Sequence, residues 1–124
     1  MFELKITTNF AAAHQLKMVS KKCENLHGHN WKIEVYVKGN RLNDAGVVID
    51  FGELKGHINS IIERLDHKFL NDLDFFSDSN PPSSEVIARF IANELEGCLR
   101  NPDVKVSRVT AWESEDACAT FIAD

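Results

Sequence analysis

The segment from Trp31 to Lys38 alternates apolar and polar residues, and this alternation constrains the fold more than any other feature of the chain. A period of two is typical of a half-buried β-strand, because successive side chains point to opposite faces of a sheet. His27 and His29 come just before this segment and are two residues apart. If a strand begins near His27, both imidazoles point to the same side of it.

Further periodic segments predict the rest of the fold. Alternation predicts strands over about 2–10, 27–38, 104–113 and 117–123. Helical spacing of apolar residues predicts helices over 52–65 and from Ser83 or Ser84 to about Leu95. The order is therefore β-β-α-α-β-β, an α+β fold with two amphipathic helices on one face of a four-stranded sheet. Such a sheet has two open edges, which natural proteins protect or pair, so we expect self-association.

Composition restricts the class of protein. A length of 124 residues predicts a single domain over 1–124. The net charge of −5 argues against binding to nucleic acid or to a membrane surface. The first residues contain no uninterrupted apolar run, so we expect neither a signal peptide nor a membrane span. Cys23, Cys98 and Cys118 are an odd number without a framework spacing, which predicts reduced thiols in a cytoplasmic protein. Cys98 and Cys118 are expected in the core.

The His-x-His pair is a candidate for an open zinc site, which needs at least one more protein ligand. His14, His57 and His67 are the other histidines, and the spacing alone does not choose among them. A thiol and a carboxylate lie just upstream of the pair, where they could do chemistry beside a metal. These two residues are Cys23 and Glu24.

Several short motifs, each weak alone, occur together along almost the whole chain. They are the early Ala-Ala-His, Cys-x3-His-Gly-His at 23–29, Val-Ile-Asp-Phe-Gly at 48–52, Leu-Asp-His at 65–67, Pro-Ser-Ser-Glu at 82–85 and Trp-Glu at 112–113. With this order and spacing the chain resembles the 6-pyruvoyl-tetrahydropterin synthase superfamily, most of all its branch on the path to 7-deazaguanine and queuosine. The resemblance implies the T-fold, in which a subunit with a four-stranded antiparallel sheet closes with two others into a barrel, typically stacked as a homohexamer.

The resemblance also implies a metal centre. His14, His27 and His29 would bind Zn²⁺ and leave a coordination position for oxygens of the substrate. Zinc suits this task because it acts as a Lewis acid, stabilising negative charge on an oxygen as a neighbouring proton leaves.

The resemblance implies further roles around that metal. Cys23 would be the general base acting on the pterin side chain, and Asp66 with His67 would complete its proton relay. Glu113 would anchor the ring, because a carboxylate accepts two hydrogen bonds from an aminopyrimidine edge. From the residues alone, Asp66 and His67 are also explained as the charged end of a helix, and Glu113 as a solvent-facing residue of a strand.

The implied activity is that of a zinc-dependent carbon–carbon lyase. It converts 7,8-dihydroneopterin triphosphate to 6-carboxy-5,6,7,8-tetrahydropterin, acetaldehyde and triphosphate. Because Glu24 follows Cys23, the chain also matches a branch that cleaves the dihydroneopterin side chain by a retro-aldol step to 6-hydroxymethyl-dihydropterin, with Glu24 as the alternative base. A third alternative is a non-catalytic module that binds metal or pterin. Lys17, Lys21 and Lys22 form a basic cluster that could contact the triphosphate.

Overall fold

The computed structural model describes residues 1–16 and 26–124. Its elements in chain order are β1 (Phe2–His14), β2 (His27–Gly39), α1 (Phe51–Ile62), β3 (Lys68–Phe69), a 3-10 turn (Leu70–Asp72), α2 (Ser84–Cys98), β4 (Val104–Ser114) and β5 (Ala117–Ile122). The predicted order of two strands, two helices and two strands is confirmed, with one short strand added between the helices.

The sheet is mixed and has five strands in the order β3-β1-β2-β4-β5, so the prediction of a four-stranded antiparallel sheet is wrong. The four long strands pair antiparallel, but Lys68 and Phe69 pair parallel with Ala12 and Ala13 of β1. A strand of two residues is too short to show any periodicity in the sequence. It matters here because it directly follows Asp66 and His67 and fixes both beside β1.

One face of the sheet packs against the helices. The odd-numbered residues of β2 from Trp31 to Val37 are fully buried, and they share one core with Ile6 and Phe10 of β1 and with the apolar stripes of both helices. Each such large apolar side chain stabilises the fold by about 1.5–3 kcal/mol. The opposite face carries charged side chains, such as Lys5 and Glu34, whose Nζ and Oε2 atoms are 3.2 Å apart.

The helices begin where the sequence predicts and the first ends earlier. The Asp50 carboxylate accepts a hydrogen bond from the Glu53 N–H at 3.0 Å, and Ser83 Oγ accepts one from the Val86 N–H at 3.2 Å, which are N-cap contacts. Helix α1 ends at Ile62 rather than Leu65, because the chain then tightens into turns that still bury Leu65 in the core.

The remaining surfaces bear on the other predictions. Cys98 is half-buried and Cys118 is exposed, so the expectation that both belong to the core is wrong for Cys118.

Strand β3 covers only the end of β1, and β5 forms the other edge of the sheet, so both edges carry unpaired backbone groups among the described residues. Within those same residues no helix has the length and hydrophobicity needed to cross a membrane.

Candidate metal centre and its surroundings

Three histidines meet at one end of the sheet because of strand register. His14 pairs directly with His27 across β1 and β2, and His29 pairs with Ala12. Since side chains two residues apart share a face of a strand, all three rings point to the face that packs against the helices. His14 is fully buried, whereas His27 and His29 are half-buried. The imidazole pair that the sequence indicates is thus completed by His14, and the structure leaves His57 and His67 outside the cluster.

Glu113 joins the histidines. It is the extra residue of a β-bulge between β4 and β5, since Trp112 pairs with Cys118 and Ser114 pairs with Ala117. Bulges of this kind often redirect a side chain beside a functional site. The Glu113 Oε1 atom lies 3.0 Å from His14 Nε2 and 3.3 Å from His29 Nε2. The structure therefore places the predicted ring anchor in direct contact with two of the predicted metal ligands.

The hydrogen bond of His14 determines which of its atoms can bind a metal. Its Nδ1 lies 2.8 Å from the carbonyl oxygen of Pro82, which can only accept, so the ring proton is on Nδ1. In the neutral form of this ring, the Nε2 lone pair faces Glu113 Oε1, a carboxylate oxygen and thus another acceptor, at 3.0 Å. Two acceptors at this distance repel each other unless a cation or a proton lies between them.

The donor set and its spacing fit a zinc ion. Four ligands in a tetrahedron with bonds of about 2.0–2.1 Å are about 3.3 Å apart. His14 Nε2 is 3.1 Å from His27 Nε2, and the ligand atoms of His14, His27, His29 and Glu113 all lie within 4.8 Å of one another. Among the described residues, His29 Nε2 is buried without a hydrogen-bond partner. The cluster is consistent with a metal site.

Burial affects the charge of His29. It lowers the pKa of this imidazole, because desolvation disfavours the cation; the nearby Glu113 carboxylate opposes the shift, and His14 and His27 add to it. A neutral ring is the form that binds a metal.

Asp66 and His67 form a second group, held against β1 by a single residue. Ala11 donates its N–H to Asp66 Oδ1 at 2.9 Å, and its carbonyl accepts the His67 N–H at 2.6 Å. These contacts hold His67 at a φ of 59°, a left-handed conformation that is unusual for a residue other than glycine. Strained backbone of this kind is often found at functional sites.

The two side chains of this group contact each other. Asp66 Oδ2 lies 3.0 Å from His67 Nδ1, and the imidazole is largely exposed. The hydrogen bond from Ala11 holds the pKa of Asp66 below its usual range, and the contact with His67 lowers it further. An ionised Asp beside Nδ1 fixes the tautomer of His67 and leaves Nε2 free to move a proton.

A groove of about 510 Å³ lies beside this second group. His67 and His29 line it together with small residues that include Ala11, Ala13 and Gly28.

Part of the predicted machinery falls outside the described residues. The base candidates Cys23 and Glu24 lie in the stretch 17–25, outside the described residues, and so do Lys17, Lys21 and Lys22. Conversely, the sequence gives no sign of the roles of the Pro82 carbonyl and the Ala11 backbone, because neither involves a side chain.

Comparison with known proteins agrees with this geometry. A family model described as 6-pyruvoyl tetrahydropterin synthase matches residues 3–124. The chain belongs to this family. The solved structure of the Caenorhabditis elegans 6-pyruvoyl tetrahydropterin synthase superimposes with a TM-score of 0.86 at 25% identity, covering 99% of this chain and 96% of that one.

Relatives within the 6-pyruvoyl tetrahydropterin synthase family carry different names. A protein of Archaeoglobus fulgidus named putative 6-carboxy-5,6,7,8-tetrahydropterin synthase is 37% identical over 114 residues, covering 92% of this chain and 90% of that protein. The dihydroneopterin monophosphate aldolase of Pyrococcus furiosus is 34% identical over 108 residues, covering 87% of this chain and 86% of that protein. Because relatives of similar identity carry two different activity names, family membership leaves the product open.

Proposed function

We propose that this chain is a zinc-dependent carbon–carbon lyase. It takes 7,8-dihydroneopterin triphosphate and water to 6-carboxy-5,6,7,8-tetrahydropterin, acetaldehyde and triphosphate, a step towards 7-deazaguanine and queuosine. The observation that carries this proposal is the convergence of His14, His27, His29 and Glu113, whose possible ligand atoms all lie within 4.8 Å of one another. Several relatives named 6-carboxy-5,6,7,8-tetrahydropterin synthase support the choice of product.

His14, His27 and His29 would hold the ion. Zinc bound there would supply Lewis acidity towards hydroxyl or carbonyl oxygens of the substrate. His14 keeps its Nε2 available because the Pro82 carbonyl binds the other ring nitrogen. Desolvation lowers the pKa of His29, which favours the neutral ring that binds a metal.

The remaining residues act on protons and on the ring. Cys23 takes a proton from the side chain of the substrate, and a nearby cation favours the thiolate that this requires. His67, oriented by Asp66 at 3.0 Å, moves a proton at Nε2. Glu113 has two candidate tasks, which are to accept the N–H groups of the pterin ring or to act beside the metal ligands.

The alternative activity is retro-aldol cleavage to 6-hydroxymethyl-dihydropterin, with Glu24 as the base. The similarity to the Pyrococcus furiosus aldolase is the observation in its favour. A module that binds metal and pterin without turnover is the remaining alternative, and it would make no use of the Asp66–His67 pair.

We further propose that the chain works as one domain in a cytoplasmic homo-oligomer. The open edges of β1 and β5 could pair with those of other copies and close a barrel. Sedimentation equilibrium tests this, with a trimer or hexamer expected. A monomer that turns over substrate would overturn it.

The deciding experiment is product analysis after incubating zinc-loaded protein with 7,8-dihydroneopterin triphosphate. We expect 6-carboxy-tetrahydropterin and acetaldehyde in equal amounts, and their loss in Cys23→Ala. Cys118→Ala, which removes an exposed thiol, is the control and should behave as wild type. Hydroxymethyl-dihydropterin that is lost in Glu24→Gln but kept in Cys23→Ala would establish the aldolase instead. Stoichiometric binding without product would establish the module.

A further inference from the structure

Trp31 lies against the histidine cluster and has no role in the chemistry described so far. It is fully buried on β2, two residues after His29 and on the same face. Its ring centroid is 5.1 Å from that of His14 and 5.4 Å from that of His29, with interplanar angles of 85° and 78°. Phe10 stacks on it at 6.1 Å and 11°. The indole is therefore in near-perpendicular contact with two predicted metal ligands and is itself backed by a core aromatic ring.

Burying an indole at this position costs free energy, because its N–H group is removed from water. Trp31 Nε1 is buried and has no hydrogen-bond partner among residues 1–16 and 26–124. An unsatisfied buried donor costs about 1–3 kcal/mol. A phenylalanine would avoid this cost. The area buried by the larger ring and its contacts with neighbouring rings must therefore offset it.

The two histidines depend on this packing to different degrees. The His14 ring is oriented at its Nδ1 by Pro82. For the His29 ring we find no orienting hydrogen bond in the part of the chain that the structure describes; its contacts are Glu113 and the neighbouring aromatic rings. Metal ligands need to be held within about 0.5 Å of the productive geometry by locked rotamers.

We propose that Trp31 is a positioning residue for the metal centre, whose indole fixes the rotamers of His29 and His14 and thereby raises the affinity for a divalent ion. The inference rests on the proposed metal site and extends it to a residue that contacts neither metal nor substrate. Because the indole acts by packing against the imidazole rings, the affinity for a divalent ion should depend on an aromatic ring at position 31 and not on the N–H group.

The test measures zinc affinity of the full chain by competition with a chromophoric chelator. Trp31→Leu should bind zinc at least about 10-fold more weakly, in line with the effect of removing groups that orient metal ligands. Trp31→Phe, which keeps an aromatic ring, should stay within about 3-fold of wild type. Ile33→Val is the matched control, because Ile33 is the next inward-facing residue of β2 and is equally buried. This variant loses core volume at a position outside the cluster and should bind zinc normally.

A second readout reports ligand geometry directly. With Co²⁺ in place of zinc, the visible absorption bands depend on the arrangement of the ligands, so Trp31→Leu should change their shape whereas Ile33→Val should not. Urea unfolding of each metal-free variant shows whether the loss of affinity merely follows lost stability. If Trp31→Leu does not fold, Trp31→Met, which keeps more of the volume, replaces it.

Each outcome decides a separate question. A folded Trp31→Leu or Trp31→Met variant with wild-type zinc affinity and an unchanged Co²⁺ spectrum would overturn the role of Trp31. An equal loss of affinity in Ile33→Val would also overturn it, because any core defect would then suffice. Failure of the wild-type chain to bind zinc would instead count against the proposed metal site.

Discussion

His14 and Pro82 are joined by a hydrogen bond of 2.8 Å from the imidazole Nδ1–H to the carbonyl oxygen. The contact links the end of β1 to the residue just before the Ser83 cap of α2, 68 positions along the chain. A proline has no N–H but keeps a full carbonyl acceptor. The start of α2 thereby determines which nitrogen of a buried histidine faces the cluster.

Replacing His14 tests the cluster as a metal site. His14→Gln should reduce zinc binding at least about 100-fold, since a catalytic zinc site has only three protein ligands and loses one of them. Equilibrium dialysis with metal analysis gives the stoichiometry, expected to fall from one ion per chain to almost none. His57→Gln is the control, because His57 lies on α1 beside Glu53 and outside the cluster. Equal stoichiometry in the two variants would place the metal elsewhere.

The role of Glu113 can be tested by comparing two variants in the same way. Its carboxylate contacts His14 and His29, so we expect Glu113→Gln to weaken zinc binding about 10-fold and to lower kcat. Glu115→Gln, which changes an exposed carboxylate of the same hairpin, should alter neither quantity. Isothermal titration with zinc and steady-state kinetics measure both effects. A higher KM for the pterin at unchanged zinc affinity would instead support the role of ring anchor.

The sequence predicts part of this centre well. His27, His29 and Trp31 are each two residues apart. Because side chains alternate between the two faces of a strand, this spacing predicts that both imidazoles lie on the same face as the buried Trp31. The pairing of His14 with His27 is different, because register across residues 15–26 is not set by a short turn. The choice of His14 thus depended on family resemblance.

Other features leave no trace that a single sequence could reveal. The bulge at Glu113 depends on how β4 and β5 pair. From the sequence alone, Glu113 is predicted to be an ordinary residue of a strand. The two-residue β3 and the backbone contacts of Ala11 likewise arise only when distant segments meet. Local periodicity therefore predicts the long elements, whereas tertiary contacts determine how the site is assembled.

Asp66 should influence both catalysis and acid stability. Asp66→Asn keeps an oxygen to accept the Ala11 N–H but loses the negative charge beside His67, so kcat should fall by about 10²–10⁴ as for the loss of acid–base assistance. The control is Asp74→Asn, an exposed carboxylate in the loop that follows the 3-10 turn. Wild-type turnover by Asp66→Asn would exclude the relay.

The pH dependence has a definite sign. Because the folded-state pKa of Asp66 is lowered, its ionised form stabilises the fold at pH values above the ordinary Asp pKa of about 3.9, and this contribution is lost as pH falls through the lower folded-state value. Urea unfolding from pH 7 to pH 3 should show a wild-type advantage over Asp66→Asn that is constant above about pH 5 and shrinks below pH 4. An advantage that grows on acidification would contradict the assigned shift.

Two glycines provide a test of the fold that is separate from the metal centre. A Cβ on Gly39 would lie 2.8 Å from Val48 Cγ1 and 3.0 Å from the Asp103 carbonyl oxygen, so Gly39→Ala should lower the free energy of unfolding by about 1–3 kcal/mol. A Cβ on Gly56, within α1, would meet no atom within 4 Å, so Gly56→Ala should raise it by about 0.5–1 kcal/mol. Urea unfolding of the metal-free protein measures both changes.

The position of Gly39 sharpens this comparison. It is the last residue of β2 and pairs with Phe2 and Val104, at the opposite end of the strand from His27. Gly39→Ala should therefore destabilise the fold yet leave zinc affinity unchanged at 25 °C, as long as the chain is folded. If Gly39→Ala were as stable as wild type, the close packing of β2 against Val48 would be wrong. If it lost zinc affinity in the folded state, the two ends of the strand would be coupled.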